Sequence, residues 1–241
     1  MDIQTIPQVK QAAATAAVSA EVRVQVESTQ IKPTKSGGEF LELKLSDAED
    51  GFTMRVWSDA AGYGQARELT AHAFIAVSGE WAVNQYGLEP RGWKLRALND
   101  EERTSLLGGP PALREKQAQD FADLAAFMEA VGDPRLRALG QTFHKEFGER
   151  LRRTGAAREY HHARRGGLVE HTAQMMRCAA AICGVYSAVN RDLVITGVLL
   201  HDCGKLWENC YAEGGFTMPY SEHGELMGHI PLGIEDRKSV V

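Results

Sequence analysis

The sequence predicts an α+β protein in two parts, a small barrel of about five short strands followed by an all-α region. Three observations carry this. Apolar residues alternate with polar ones over 21–97, the period of half-buried strands. Gly108-Gly-Pro-Pro111 is the strongest breaker in the chain. Beyond it the apolar spacing becomes helical. The expected organisation is an N-terminal extension over 1–20, the barrel over 21–100, a linker over 101–118 and a helical domain over 119–241.

Residues 1–20 are rich in Ala and Gln and are expected to be a frayed helix or loose chain. The first strand carries Val22, Val24 and Val26. Leu41, Leu43 and Leu45 mark the second, and Phe52, Met54 and Val56 the third. Phe74–Val77 is a fourth, and Trp93, Leu95 and Ala97 suggest a fifth. Lys35-Ser-Gly-Gly and Asp47-Ala-Glu-Asp-Gly51 are turn signals between them. Closing these strands on themselves would hide the edges that an open sheet exposes. After the breaker, Phe121–Val131 and Leu136–Leu151 read as helices, the latter with Leu139, Phe143 and Phe147 on one stripe. Gly166-Gly167 interrupts, and Leu168 opens a helix whose expected inner face is Leu168, Thr172, Met175, Ala179 and Ile182. Asn190 is placed to cap a further helix, with Leu193, Ile195–Thr196 and Leu199–Leu200 inside it.

With 44% hydrophobic residues in 241, the chain can bury a real core, which excludes a wholly disordered reading. A formal charge of -5 does not mark a general nucleic-acid binder. The distribution is uneven, however. Pro134–Arg177 holds ten Lys/Arg against four Asp/Glu, whereas 21–99 holds nine against eleven, so any grip on a polyanion is expected in the former. Cys178, Cys183, Cys203 and Cys210 form no C-x-x-C pair. The first residues lack the pattern of a signal peptide, and no run of 18 apolar residues exists. A reducing, cytoplasmic setting away from membranes is expected.

Four features can carry chemistry: His171, the run His201-Asp202-Cys203-Gly204-Lys205, His229, and the doublet His161-His162. Imidazole and carboxylate together suit Mn²⁺, Fe²⁺, Zn²⁺ or Mg²⁺. An ion in such a shell acidifies its water and polarises a phosphorus centre, and Asp202 could bridge two ions. Lys205, one turn beyond Asp202, would offset phosphate charge. Each residue also has an ordinary structural reading. A His-Asp pair alone is a weak signal, Asp202 could cap a turn, His171 could be a half-buried hydrogen-bonded histidine, and His161-His162 could be solvated. Position favours the site, because Asp202 follows Val198-Leu-Leu200 and a carboxylate at the rim of a core costs several kcal/mol unless a cation pairs with it.

Gly166-Gly-Leu-Val-Glu-His171-Thr, Gly197-Val-Leu-Leu-His-Asp-Cys-Gly-Lys205 and Leu226-Met-Gly-His229-Ile resemble HD-domain phosphohydrolases. More narrowly they resemble the bacterial 3′→5′ exoribonucleases typified by YhaM, which join an N-terminal OB-fold to an HD domain. Lys32 to Asp47 with Arg55-Val-Trp57 is similar to the OB segment of that family, and His161-His-Ala-Arg-Arg-Gly-Gly167 to the segment before its first ligand helix. The resemblance spans about residues 20–235. It implies an OB-like barrel followed by an HD-type helical domain, with His171, His201 and Asp202 as metal ligands and His229 at a second metal position. Asp202 and Lys205 would serve catalysis, Lys205 near the substrate phosphate. The family's HD domain continues past the equivalent of Gly233 with further histidines and a closing aspartate. The sequence stops at Val241 with a tail unlike that helix, so a truncated, incomplete HD domain is expected. The apolar surface of a missing layer, along Leu193–Leu200, would invite self-association into a homo-oligomer.

The activity implied is metal-dependent cleavage at the 3′ end of single-stranded RNA or DNA, with one or two ions, Mn²⁺ first and Mg²⁺, Fe²⁺ or Co²⁺ as alternatives. Expected substrate contacts are His161, His162, Arg164 and Arg165, with Trp57, Trp81 and Tyr86 as base-stacking rings. The ordinary readings are a solvated helix face for the arginines and barrel core for the tryptophans. Two alternatives stand beside this activity: hydrolysis of small or cyclic nucleotides, and non-catalytic nucleic-acid binding by a chain whose distal ligands are absent.

Overall fold

The computed structural model describes residues 1–34, 37–85, 87–158, 162–219 and 222–237. It divides into two compact units, one of Met1–Pro111 with Gly214–Thr217, the other of Ala112–Glu213 with Met218–Val241.

The first unit is a sheet built from β1 (Asp2–Gln4), β2 (Val18–Pro33), β3 (Glu39–Ser46), β4 (Gly51–Trp57), β5 (Phe74–Asn84) and β6 (Gly87–Ala97). Helices α1 (Ile6–Ala13), α2 (Tyr63–Arg67) and α3 (Asp100–Gly108) lie between or after these strands. The hydrogen-bonded order is β4-β3-β2-β5-β6, all antiparallel, with β1 parallel to β2. Strand β2 is the spine. Its first half pairs with β5 and its second half with β3, and the register shifts between Val26 and Ser28. That extra residue lets a 16-residue strand bend from one partner to the other. The terminal strands β4 and β6 come into contact, which folds the sheet into an OB-like barrel. Val22, Val24, Val26, Leu41, Leu43, Leu45, Met54 and Val56 point inward and are buried, as alternation requires. Ala97 is exposed, and it is Leu98 that is buried.

Of the two states expected for 1–20, the helix is the one that forms, and it is anchored rather than frayed. Thr5 caps α1 in a reciprocal box with Gln8, and Ile6 and Val9 are fully buried. Asp47 ties this helix to the β3–β4 turn: one carboxylate oxygen accepts from Ile6 N at 2.6 Å and the other from Glu49 N and Asp50 N at 2.8 and 2.9 Å. The region expected as linker, 101–118, is largely helical. Asn99 caps α3, and α4 (Pro111–Glu129) begins within it.

The second unit is helical among its described residues. It contains α4, α5 (Pro134–Leu151), α6 (Gly167–Val185), α7 (Arg191–Leu200), α8 (Lys205–Glu208), α9 (Glu222–Met227) and α10 (His229–Arg237). Asp133 caps α5 and Asn190 caps α7. Leu124, Met128, Phe143, Leu168, Met176, Ile195, Leu199 and Leu206 form its core. The buried face of α6 differs from the expected one. Met176 and Cys183 are buried in place of Met175 and Ile182, which are 40% and 54% exposed. The helix is apolar on several sides, so its pattern did not select a face, and burial of Glu170 beside Lys116 and Arg164 decides its rotation. Leu193 is likewise exposed rather than inside α7. No helix among the described residues is long and apolar enough to cross a membrane.

Candidate metal centre

Four elements of the second unit deliver the polar residues. His171 stands in the second turn of α6. His201 is the C-cap of α7, Asp202 follows it, and Lys205 opens α8. His229 opens α10. Two glycines make the approach possible. A Cβ on Gly204 would lie 1.7 Å from the carbonyl oxygen of His229, so only glycine lets α10 come this close. A Cβ on Gly167 would lie 1.9 Å from the carbonyl oxygen of His162, whose φ of 56° is itself left-handed. Both glycines clear space for the backbone of a histidine.

Asp202 is the centre, 8% exposed. Its Oδ2 faces His201 Nε2 at 3.2 Å, His171 Nε2 at 3.5 Å and Lys205 Nζ at 2.7 Å. Its Oδ1 faces His229 Nε2 at 3.5 Å. The Nε2 atoms of His171 and His201 are 3.3 Å apart. Burial pulls the Asp202 carboxyl up, but hydrogen bonds from His201 and Lys205 outweigh it and hold it well below the usual carboxylate range. The hydrogen bond to Asp202 raises His201 against the pull of burial, and burial lowers His171 against the attraction of Asp202.

This donor set fits a divalent ion. His171, His201 and Asp202 each offer one ligand atom, all within 4.8 Å of one another. The three separations are 3.2, 3.3 and 3.5 Å, close enough for the three atoms to hold one ion between them. His201 Nδ1 lies 2.7 Å from the Val198 carbonyl oxygen, which only accepts. Only the doubly protonated ring can therefore donate from Nε2 to Asp202; the neutral ring keeps its proton on Nδ1 and turns the Nε2 lone pair toward the carboxylate. A shared cation reconciles that pairing of acceptors.

The remaining expected residues fall in different places. The ring centroid of His162 is 6.4 Å from that of His171, and its nitrogens face Glu170 and Gln174. Arg164 is spent on buried Glu170, with Nε at 3.0 Å and Nη2 at 2.8 Å. Arg165 donates to the carbonyls of Ala212 and Glu213. Arg150 and Arg153 similarly hold the carbonyls of Leu206 and Tyr211. The basic segment thus braces the chain that follows Lys205, which spacing alone could not show.

In the first unit Trp57 is 46% exposed and packs against Phe40 at 5.1 Å between centroids. The pair borders a groove of about 590 Å³ that also holds Lys32, Arg55 and Glu42. Trp81 is 0% exposed and donates its indole N–H to Ala20 O, so no base can reach its face, and the expected stacking role is corrected to barrel core. His161 and Tyr86 lie outside the described residues. Sequence reasoning passed over Phe40, whose place one residue before inward-facing Leu41 was the available signal for the outer face, where the register sets it opposite Trp57. It also passed over Glu170 and Glu208.

No protein-family model matches the sequence. The chain is 29% identical over 208 residues to the 3′-5′ exoribonuclease YhaM of Oceanobacillus iheyensis, covering 84% of this chain and 62% of that protein. It is 28% identical over 223 residues to the protein of the same name from Listeria monocytogenes, covering 86% and 65%. The resemblance to YhaM-type proteins therefore extends over most of the chain, and the chain spans just under two thirds of the length of these curated relatives. A solved structure of RecG bound to a three-way DNA junction aligns over 77% of the chain and 26% of its own, at a TM-score of 0.33 and 12% identity.

Proposed function

We propose that the chain is a metal-dependent 3′→5′ exonuclease acting on single-stranded RNA, with single-stranded DNA as a second substrate. The observation that carries this is Asp202, whose one carboxylate oxygen faces two imidazole nitrogens and whose other faces a third. Similarity to proteins named 3′-5′ exoribonuclease supports the polymer substrate.

His171, His201 and Asp202 would hold one ion, and His229 with the other Asp202 oxygen a second. Mn²⁺ is the ion the family resemblance favours, with Mg²⁺, Fe²⁺ or Co²⁺ as alternatives that a mixed imidazole and carboxylate set also accepts. A bound ion supplies a Lewis acid and acidifies water at neutral pH. The chain's own groups do the rest. Lys205, held at 2.7 Å from Asp202, brings an ammonium to the place where phosphate charge builds. His162, oriented by Glu170 and Gln174, stands beside the centre as a contact for the terminal nucleotide. In the first unit, Trp57 offers a stacking face, with Lys32 and Arg55 beside it for the backbone. The four cysteines are free thiols, in keeping with a cytoplasmic setting.

The test is a 5′-labelled single-stranded RNA incubated with Mn²⁺ and the purified chain. A ladder shortening from the 3′ end is expected, abolished by D202N and by H201A. Release of phosphate from mononucleotides without a ladder would favour the small-nucleotide reading. RNA binding with neither bound Mn²⁺ nor turnover would make the chain a binding protein.

A further inference from the structure

The strongest unassigned group near the centre is Glu208, three residues beyond Lys205 at the end of α8. Its Oε2 lies 3.0 Å from His229 Nδ1, while Nε2 of the same ring faces Asp202 Oδ1. We infer that Glu208 is a positioning residue that fixes the ring and tautomer of His229 for a divalent cation on the Oδ1 side of Asp202. The inference rests on the proposed metal-dependent reading and deepens it.

His229 lies between two carboxylates that only accept hydrogen bonds, and the shorter contact, 3.0 Å from Nδ1 to Glu208 against 3.5 Å from Nε2 to Asp202, places the proton of the neutral ring on Nδ1 and leaves the Nε2 lone pair for a cation on the Asp202 side. His201 is held in the same way from the opposite side, its Nδ1 donating to the Val198 carbonyl. The two arrangements differ in strength. A carboxylate raises the electron density of the imidazole more than an amide carbonyl does. That difference falls where it is needed, because the Oδ2 side offers two imidazoles and a carboxylate oxygen, whereas the Oδ1 side offers one imidazole and a carboxylate oxygen. The backbone that carries Glu208 is held: Arg158 donates to its carbonyl and also pairs with Glu225, so α8 and α9 are tied together around it. Gly204 lets the α10 backbone close over α8, which brings His229 within reach of this carboxylate.

Two measurements test this, neither of which reads turnover. The first is the tautomer of His229, by long-range ¹⁵N–¹H NMR without metal, above the imidazole titration range. The wild type is expected to show the Nδ1–H form. E208A should shift the ring toward Nε2–H, and E208Q, whose amide oxygen still accepts, should keep most of the Nδ1–H form. The second is Mn²⁺ titration by calorimetry. Two ions of unequal affinity are expected in the wild type, with the weaker loosened about 10–100-fold in E208A and less in E208Q, while the tighter is unchanged. An unaltered tautomer in folded E208A overturns the positioning role, whatever the metal result. Equal and complete loss of the weaker ion in E208A and E208Q overturns it in favour of direct ligation. A wild type that binds no Mn²⁺, or binds it as H201A does, refutes the metal reading itself and the inference with it.

Discussion

Replacing Glu170 by Gln tests the charged anchor beneath the site. Glu170 is 0% exposed and receives Arg164 through two nitrogens, Lys116 at 2.8 Å and Gln117 at 2.9 Å. Burial pushes its carboxyl up, yet the hydrogen bonds from Arg164, Gln117 and Lys116 bring it down from 4.5 to about 2. At about 1.4 kcal/mol per pH unit, that depression amounts to roughly 3 kcal/mol of folding stability. Breaking a buried ion pair from one side costs about 3–5 kcal/mol, and the ability of half-exposed Lys116 to recover water places E170Q near the lower end. The folded-state value is the depressed one, so the contribution is full above pH 4.5 and fades as pH falls toward about 2. Urea unfolding followed by circular dichroism at 222 nm should show E170Q about 3 kcal/mol less stable at neutral pH, with the gap narrowing in acid. A neutral-pH loss under about 1 kcal/mol, or a gap that does not change with pH, would refute the argument that this carboxylate is buried and ionised.

Two further substitutions separate site from scaffold. W57A should weaken binding of single-stranded RNA by about 1–3 kcal/mol in a filter or anisotropy assay and leave the fold intact. W81A should cost about 3–5 kcal/mol of stability, read by denaturant midpoint; unchanged affinity in the first or unchanged stability in the second contradicts the placement of these rings. G204A forces α10 away from α8, so Mn²⁺ affinity should fall sharply by calorimetry; wild-type affinity would show that His229 does not depend on that close approach.

The sequence by itself determined the alternation that builds the barrel, the helical spacing beyond Pro111, and the group His171, His201, Asp202, Lys205 and His229. Most of those signals are local: period two, period 3.6, and, for His201 and Asp202, polar residues at the end of an apolar run; the roles of His171 and His229 came from the family resemblance. It could not determine which side of α6 is buried, because that depends on Glu170 meeting Lys116 from a helix some fifty positions earlier in the chain. It read residues 1–20 as a frayed helix or loose chain because Ala and Gln have no strong periodicity, whereas Asp47, forty-one positions away from Ile6, anchors the helix that forms there. It left the arginines of the basic stretch Pro134–Arg177 either as a grip on a polyanion or as a solvated helix face, since charge is visible in sequence and its partners are not. Tertiary structure spends Arg150, Arg153 and Arg165 on backbone carbonyls and Arg164 on a buried carboxylate. The physical reason is common to all three cases. Buried polar groups must be paired, and their partners come from wherever the fold brings them.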